Sequence, residues 1–155
     1  KKDYIESGGF NVHLRGAEEP DLGRRVLKIG KLIYTPNAMV IHDHKRQYKQ
    51  FAKQMYSYGR WRRESKVWSL TVVPPLLTPL LLLTLIINYW IFPIILGVYC
   101  VAIMSEGLKF AIQNKDIRFF FTIPIVFITQ HILYIIGFWR ETILPTKRVK
   151  INTDA

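Results

Sequence analysis

The sequence is poor in cysteine and in acidic residues, and one long stretch of it carries no charge. Cys100 is the single cysteine, so no internal disulfide and no cysteine-based metal site can form. The 155 residues include 11 Asp and Glu against 22 Lys and Arg, a formal net charge of +11. Residues 67–105 contain no Asp, Glu, Lys or Arg. These absences exclude a disulfide-stapled domain and indicate a basic protein with a large membrane-embedded part.

The uncharged stretch predicts two membrane crossings. As one straight helix it would be about 59 Å long, whereas the hydrocarbon core is about 30 Å thick and takes roughly 20 residues to cross. A turn is expected between Asn88 and Pro93, where a polar residue, interfacial aromatics and a proline coincide. A further uncharged run, residues 119–139, is bounded by an arginine on each side. We therefore predict three spans, near residues 68–88, 92–112 and 119–139.

The basic residues do not give one consistent orientation. Eight of the nine charged residues between Lys45 and Lys66 are basic, and positive loops stay in the cytoplasm. This segment and the loop at 113–118 are therefore both expected to be cytoplasmic. The basic tail after Arg140 would then lie outside if all three spans cross. Either the third span or the first one, which contains Pro74-Pro75, is thus a candidate for a re-entrant or interfacial helix, and the number of crossings stays open.

The first 66 residues are polar and predict the end of an α/β domain. Residues 19–29 fit a short helix with an acid in its first turn and a glycine as its C-cap. Two β-like runs follow, Lys31–Thr35 and Ala38–His42, with a turn between them. Residues 47–66 return to a helical pattern, with aromatic residues on one face and basic residues on the others. That pattern is typical of a helix lying along a membrane surface.

Glu18, Glu19 and Asp21 form an acidic cluster within this basic segment. A carboxylate beside a bilayer can act as a general base if it reaches the proton to be removed. Neighbouring carboxylates repel one another unless a cation or metal compensates. The same acids at a helix start also favour the helix dipole without any catalytic role. Both interpretations are consistent with the residues alone.

Three stretches of this segment occur in a fixed order. They are Gly-Gly-Phe at 8–10, Glu-Glu-Pro-Asp-Leu-Gly-Arg-Arg at 18–25, and the run from Gly30 to His42 that includes Tyr-Thr-Pro-Asn-Ala-Met-Val. Together they resemble the closing third of family 2 glycosyltransferases. That family has a Gly-Gly-Phe loop, a Glu-Asp-x-Asp-Leu-x-x-Arg stretch and a Gly-x-x-x-x-Tyr-x-Pro-x-Ala-x-Val-x-His ending. Residues 51–60 and 131–137 also look like membrane-anchored members of the family.

The resemblance implies a fold and a domain organisation. Residues 1–46 would be an α/β remnant of a GT-A domain, the fold that binds nucleotide-diphospho-sugars. An interfacial helix at 47–66, a transmembrane region of about three helices at 67–140 and a basic tail at 141–155 would follow. The family's donor half, with its Asp-x-Asp metal motif, has no counterpart here. We therefore expect the C-terminal piece of a longer protein, inactive by itself.

The resemblance also implies roles for the acidic cluster and the glycine loop. Glu19 matches the aspartate that serves the family as catalytic base toward the acceptor hydroxyl, with Glu in place of Asp. Glu18 or Asp21 is able to share that role. Gly8, Gly9 and Phe10 would form the backbone loop beside donor and acceptor.

Four further residues are candidates for binding phosphate or metal. His42 matches the family's C-terminal histidine, which completes the coordination of a divalent ion, Mg²⁺ or Mn²⁺, on the donor diphosphate; His42 and His44 alone are weak evidence for a metal. Arg60, Arg62 and Arg63 have two interpretations. They anchor the helix to anionic lipid, or their planar donor groups bind the phosphate of a lipid-linked acceptor or of the donor.

We therefore expect an inverting, hexosyltransferase-like enzyme of cell-envelope polysaccharide biosynthesis. It would lie in the cell (plasma) membrane with its catalytic part in the cytoplasm, and transfer sugar from a nucleotide-diphospho-sugar to a lipid-linked or polysaccharide acceptor. The alternative is a non-enzymatic membrane protein whose basic segment binds lipid head groups or a partner. Nucleic acid does not fit as a ligand, because half of the chain is membrane sequence and the charge lies beside a span.

Overall fold

The computed structural model describes residues 2–14, 16, 18–37, 39–41 and 47–146. The described helices, in chain order, are α1 Lys2–Glu6, α2 Glu18–Val26, α3 Tyr48–Ser65, α4 Val73–Ile87, α5 Ile91–Asn114 and α6 Arg118–Ile143. A short 3-10 turn, Leu70–Val72, leads into α4. α2 starts one residue before the helix predicted at 19–29 and ends at Val26, after which backbone turns continue to Gly30.

The predicted α/β fold is wrong. The structure is 73% helical, and the described residues contain no strand. Lys31–Thr35 and residues 39–41 are irregular; Ala38 and His42, at the ends of the second predicted strand, lie outside the described residues. A strand needs a neighbouring strand to accept and donate its backbone hydrogen bonds. The apolar residues of these runs have no such neighbour and remain exposed here, with Ile33 at 85% and Ile41 at 97%.

α3 packs lengthwise against the C-terminal half of α6, and the two helices run in the same direction. The Tyr48 hydroxyl hydrogen-bonds the Thr129 hydroxyl near the start of α3, and Arg60 Nε donates to Glu141 Oε2 at 3.0 Å near its end. Both pairs are separated by 81 residues in sequence. The constant separation means that the helices stay in register over most of α3.

α5 and α6 form an antiparallel hairpin. Tyr99 Oη lies 2.8 Å from His131 Nδ1. Nearer the connecting turn, Gly107 lies directly against α6, where an added Cβ would come within 3.0 Å of the Phe120 carbonyl oxygen and 3.1 Å of Pro124 Cδ. Small residues of this kind let membrane helices approach each other closely.

Among the described residues, three helical stretches are long and apolar enough to cross a membrane. They are Leu70–Ile87, Ile91–Asn114 and Arg118–Ile143, with mean hydropathies of 2.3, 1.9 and 2.0. Most of their large apolar side chains face outward, as with Leu80, Ile94 and Ile125, which are 60%, 63% and 52% exposed. A soluble protein does not expose apolar surface on this scale, and lipid is the solvent that accommodates it. The chain is therefore a membrane protein.

Candidate functional site

Arg25 links the acidic cluster to the glycine loop. Its Nε donates to Asp21 Oδ2 at 3.0 Å, and its second terminal nitrogen lies 2.9 Å from the same oxygen. The guanidinium also donates to the Gly9 carbonyl oxygen at 2.6 Å and to the Ser7 carbonyl oxygen. Asp21 and Arg25 are four residues apart on α2, so they share one helix face. One side chain thus ties the first turn of α2 to the loop that follows α1.

The glycine loop needs glycine at both positions. Gly8 and Gly9 have φ of +81° and +65°, a backbone conformation that is costly for residues with a Cβ. A Cβ on Gly9 would also lie 3.1 Å from the Tyr4 hydroxyl oxygen. Phe10 packs edge-on against the Tyr4 ring, with ring centroids 5.9 Å apart. Gly8, Gly9 and Phe10 therefore lie in contact with α1, and their place beside donor and acceptor stays a prediction.

The polar backbone groups of this loop are already engaged. The Gly8 and Gly9 amides each donate at 3.0 Å to carbonyl oxygens of α1, those of Ile5 and Tyr4. The Gly9 carbonyl accepts from Arg25. Without side chains at Gly8 and Gly9, the loop can approach a ligand closely. Its two glycine amides are already bonded to α1, so they do not offer a free site for an anion.

The three acidic residues have different surroundings. Asp21 is 6% exposed and paired with Arg25 at 2.9 Å, with Arg24 further away at 3.9 Å. Glu18 is half-buried and Glu19 is exposed, both in the first turn of α2. Asp21 is thus committed to an ion pair, whereas the Glu19 carboxylate is accessible to a substrate.

Gly16 connects this front segment to α3. It is buried two residues before Glu18, and an added Cβ would lie 2.2 Å from the indole ring of Trp61. The segment just before α2 therefore lies against the C-terminal third of α3. This contact could not be predicted from the sequence, because a lone glycine and a tryptophan 45 positions later form no recognisable pattern.

Two of the three arginines predicted to bind phosphate hold α3 against α6. Arg60 pairs with Glu141, a side chain only 4% exposed, and also donates to the Thr146 hydroxyl at 2.6 Å. Arg63 Nε donates to the Thr142 hydroxyl at 3.0 Å, and its guanidinium carbon lies 6.0 Å from the centroid of the Phe138 ring. These contacts give both arginines a structural role at the α3–α6 interface.

Arg62 points to a shallow cleft at the end of α3. The cleft is bordered by Arg62, Arg63, Lys66 and Trp68 together with the apolar residues Val67, Val72 and Phe138. Trp68 is 61% exposed, as expected for an aromatic residue at a membrane interface. Binding of a lipid phosphate by Arg62 stays a prediction.

The predicted metal ligand cannot be placed. His42 lies outside the described residues. Within the ranges that the structure describes, no three His, Cys, Asp or Glu side chains gather in a way that could hold a metal ion. The predicted binding of Mg²⁺ or Mn²⁺ therefore stays a prediction.

Arg25 is the functional residue whose role the sequence did not predict. Its spacing from Asp21 was an available signal, because oppositely charged residues four apart on a helix pair. Its bonds to the Ser7 and Gly9 carbonyls have no local signature. The structure thus brings the glycine loop and the acidic cluster together. Arg60, Arg62 and Arg63 lie on α3 and take no part in that contact.

Comparison with protein-family models, with curated proteins and with solved structures found no match to this chain. The resemblance to family 2 glycosyltransferases therefore stays a prediction based on the residues at 8–10, 18–25 and 30–42.

Proposed function

We propose that this chain carries the acceptor-activating residues and the membrane anchor of a glycosyltransferase. The enzyme transfers a sugar from a nucleotide-diphospho-sugar to a lipid-linked or polysaccharide acceptor. The observation that carries the proposal is the contact of Arg25 with both Asp21 and the Gly8-Gly9 loop. This contact joins two separate stretches that the resemblance assigns to one site, and it leaves Glu19 accessible.

Glu19 is the proposed general base. Its carboxylate accepts the proton of the acceptor hydroxyl while that oxygen bonds to the anomeric carbon of the donor sugar. The bond from the anomeric carbon to the diphosphate oxygen breaks with its electron pair, the nucleoside diphosphate leaves, and the configuration inverts. Proton transfer of this kind contributes about 10²- to 10⁴-fold to a rate. Its exposure and its place in the first turn of α2 support Glu19 in this role.

Asp21 and Arg25 are positioning residues in this proposal. A charge-assisted pair with a planar guanidinium fixes direction as well as distance. It holds the first turn of α2, and with it Glu19, at a defined place relative to Gly8 and Gly9. Small displacements of a catalytic group lower rates strongly, about 100-fold for roughly 1 Å.

The membrane helices support a lipid-borne acceptor. The segment just before α2 contacts α3 through Gly16 and Trp61, and α3 is fastened to α6 by the Arg60–Glu141 pair. The acidic cluster is therefore held close to the membrane part of the chain. A divalent cation with His42 as a ligand remains a prediction of the resemblance, and it would neutralise the leaving diphosphate.

The test compares Glu19→Gln with Glu18→Gln in the full-length protein in native membranes. Membranes are given UDP-[¹⁴C]glucose, UDP-[¹⁴C]galactose or GDP-[¹⁴C]mannose, and label is counted in the lipid extract and in polymer. Glu19→Gln should lower incorporation at least about 100-fold, while Glu18→Gln stays within a few-fold of the unaltered protein. Equal incorporation by Glu19→Gln and the unaltered protein would refute the base, and no incorporation by any of them would favour a non-enzymatic role.

A further inference from the structure

The start of α4 touches the end of α6. The Trp139 indole Nε1 donates to the Pro75 carbonyl oxygen at 2.9 Å, and Pro75 is fully buried there. Pro75 belongs to the first turn of α4, whereas Trp139 lies in the last turns of α6. The two ends of the apolar region are therefore in direct contact.

A second set of contacts joins the same two ends. The last turns of α3, which lead into α4, bind the last turns of α6 through Arg60 with Glu141 at 3.0 Å and Arg63 with Thr142 at 3.0 Å. These bonds involve different helices and different side chains from the Pro75 contact. The part of the chain that enters the apolar region and the part that leaves it are thus in contact at two independent places.

The α5–α6 hairpin shows where the other end of α4 lies. Tyr99 pairs with His131 across the hairpin. Ile91 lies 8 residues before Tyr99, and Trp139 lies 8 residues after His131, which is about 12 Å of helix in each case. Ile91 and Trp139 are therefore at a similar height along the hairpin. The first turn of α4 contacts Trp139, and α4 ends at Ile87, just before Ile91. Both ends of α4 therefore lie at this end of the hairpin, and the helix extends across it.

Three successive crossings cannot produce these contacts. An odd number of crossings would place Pro75 and Trp139 on opposite faces of a hydrocarbon core about 30 Å thick, whereas their hydrogen bond is 2.9 Å long. We propose that the chain enters α4 and leaves α6 on the same face of the bilayer, so that residues 73–143 cross it an even number of times. α4 then stays near one face of the hydrocarbon core and is not a third crossing.

The charges agree with this topology. The basic residues of α3 and Arg140 come to lie on one side. Because positive segments share the cytoplasmic side, the tail no longer conflicts with the segment before α4. The inference rests on helix contacts alone and stands independently of the glycosyltransferase proposal.

Cysteine labelling of the full-length protein tests the topology. In a Cys100→Ser background, single cysteines replace Lys66 after α3 and Leu144 after α6, two exposed positions. A membrane-impermeant maleimide is applied to spheroplasts and to inverted vesicles, and the background without a new cysteine is the control. Both cysteines should be labelled in the same one of these two preparations. Labelling of one position in spheroplasts and of the other in inverted vesicles would overturn the proposal.

A second measurement does not depend on the cysteine variants folding correctly. The otherwise unaltered protein carries an epitope tag after Ala155, and both preparations are digested with proteinase K. The tag should be lost in the preparation in which the segment around Lys66 is cleaved, as followed by mass spectrometry of the released peptides. Loss of the tag in the other preparation would contradict an even number of crossings.

Discussion

Gly59 of α3 and Gly137 of α6 lie where the two helices approach too closely for any side chain. A Cβ on Gly59 would lie 2.0 Å from the Tyr134 carbonyl oxygen, and one on Gly137 would lie 2.1 Å from the Tyr56 carbonyl oxygen. In each case the obstructing atom is backbone, which cannot move aside as a side chain can. This contact fixes α3, and through it the front segment, on the membrane helices.

Gly137→Ala should therefore destabilise the protein. The new methyl forces the α3 and α6 backbones apart, and overpacking of this kind costs about 1–3 kcal/mol. Gly97→Ala in α5 is the matched control, because nothing lies within 4 Å of its added Cβ and alanine favours helix over glycine by about 1 kcal/mol. Thermal unfolding in detergent should give a lower Tm for Gly137→Ala and an unchanged or higher Tm for Gly97→Ala. Equal Tm values for Gly137→Ala and the unaltered protein would mean that α3 does not pack here.

Glu141→Gln should cost more stability than the loss of an exposed ion pair. The Glu141 side chain is 4% exposed and accepts from Arg60 and Arg140, which are 24% and 38% exposed. The variant therefore removes two charge-assisted hydrogen bonds to a buried carboxylate, at roughly 1.5–3 kcal/mol. The control is Glu106→Gln, whose pair with Lys109 is exposed at 46% and 58% and is worth about 0–1 kcal/mol. Denaturation in mixed micelles compares the two variants. A smaller loss for Glu141→Gln than for Glu106→Gln would contradict the buried network.

Arg25→Lys should lower transfer activity although it keeps the charge. Lysine cannot bind Asp21 and the Gly9 carbonyl with one planar group, so the glycine loop loses its attachment to α2. Arg24→Lys is the control, since Arg24 is 55% exposed and 3.9 Å from Asp21. We expect about 10-fold to 100-fold lower kcat for Arg25→Lys with a smaller change in KM, and faster amide exchange at Gly8 and Gly9. Unchanged exchange and unchanged kcat would show that Arg25 does not position the loop.

Asp116 should titrate below the ordinary aspartate range. Side-chain and backbone hydrogen bonds from Arg118 lower the pKa of Asp116 in the turn between α5 and α6. A lowered folded-state pKa means that this contact stabilises the turn above the unfolded carboxyl pKa of about 3.9. That stability is lost as pH falls through the lower folded-state pKa. A ¹³C-carboxyl NMR titration should show the lowering, and Arg118→Gln should abolish it; identical midpoints in both proteins would contradict the contact.

Local sequence patterns predicted the helices but failed for the strands. α2 and α3 could be recognised because their helical periodicity and end residues are encoded within a few turns. Lys31–Thr35 has the β-branched and aromatic residues typical of a strand, yet a strand exists only with a partner, and none is paired with it among the described residues. Long-range pairing of this kind is not written in the segment itself.

The candidate site shows the same limit. The grouping of Gly8, Gly9 and Asp21 followed from the order of the motifs, whereas the role of Arg25 depended on carbonyl groups 16 and 18 positions away. Arg60 was predicted to bind lipid or phosphate. Its buried acidic partner, Glu141, lies 81 positions away, so the pairing could not be recognised from the sequence. Charge alone does not distinguish an arginine that faces lipid from one that is paired inside the protein.

The most direct test of the proposed function compares Glu19→Asp with Glu19→Gln in the full-length protein. Both variants change the side chain, but only the glutamine variant removes the carboxylate that accepts the proton. Transfer of label from a nucleotide-[¹⁴C]sugar to membrane lipid or polymer is measured with equal amounts of each protein in the membrane. The proposal predicts substantial activity for Glu19→Asp and at least about 100-fold lower activity for Glu19→Gln. Equal activity of the two variants would contradict it.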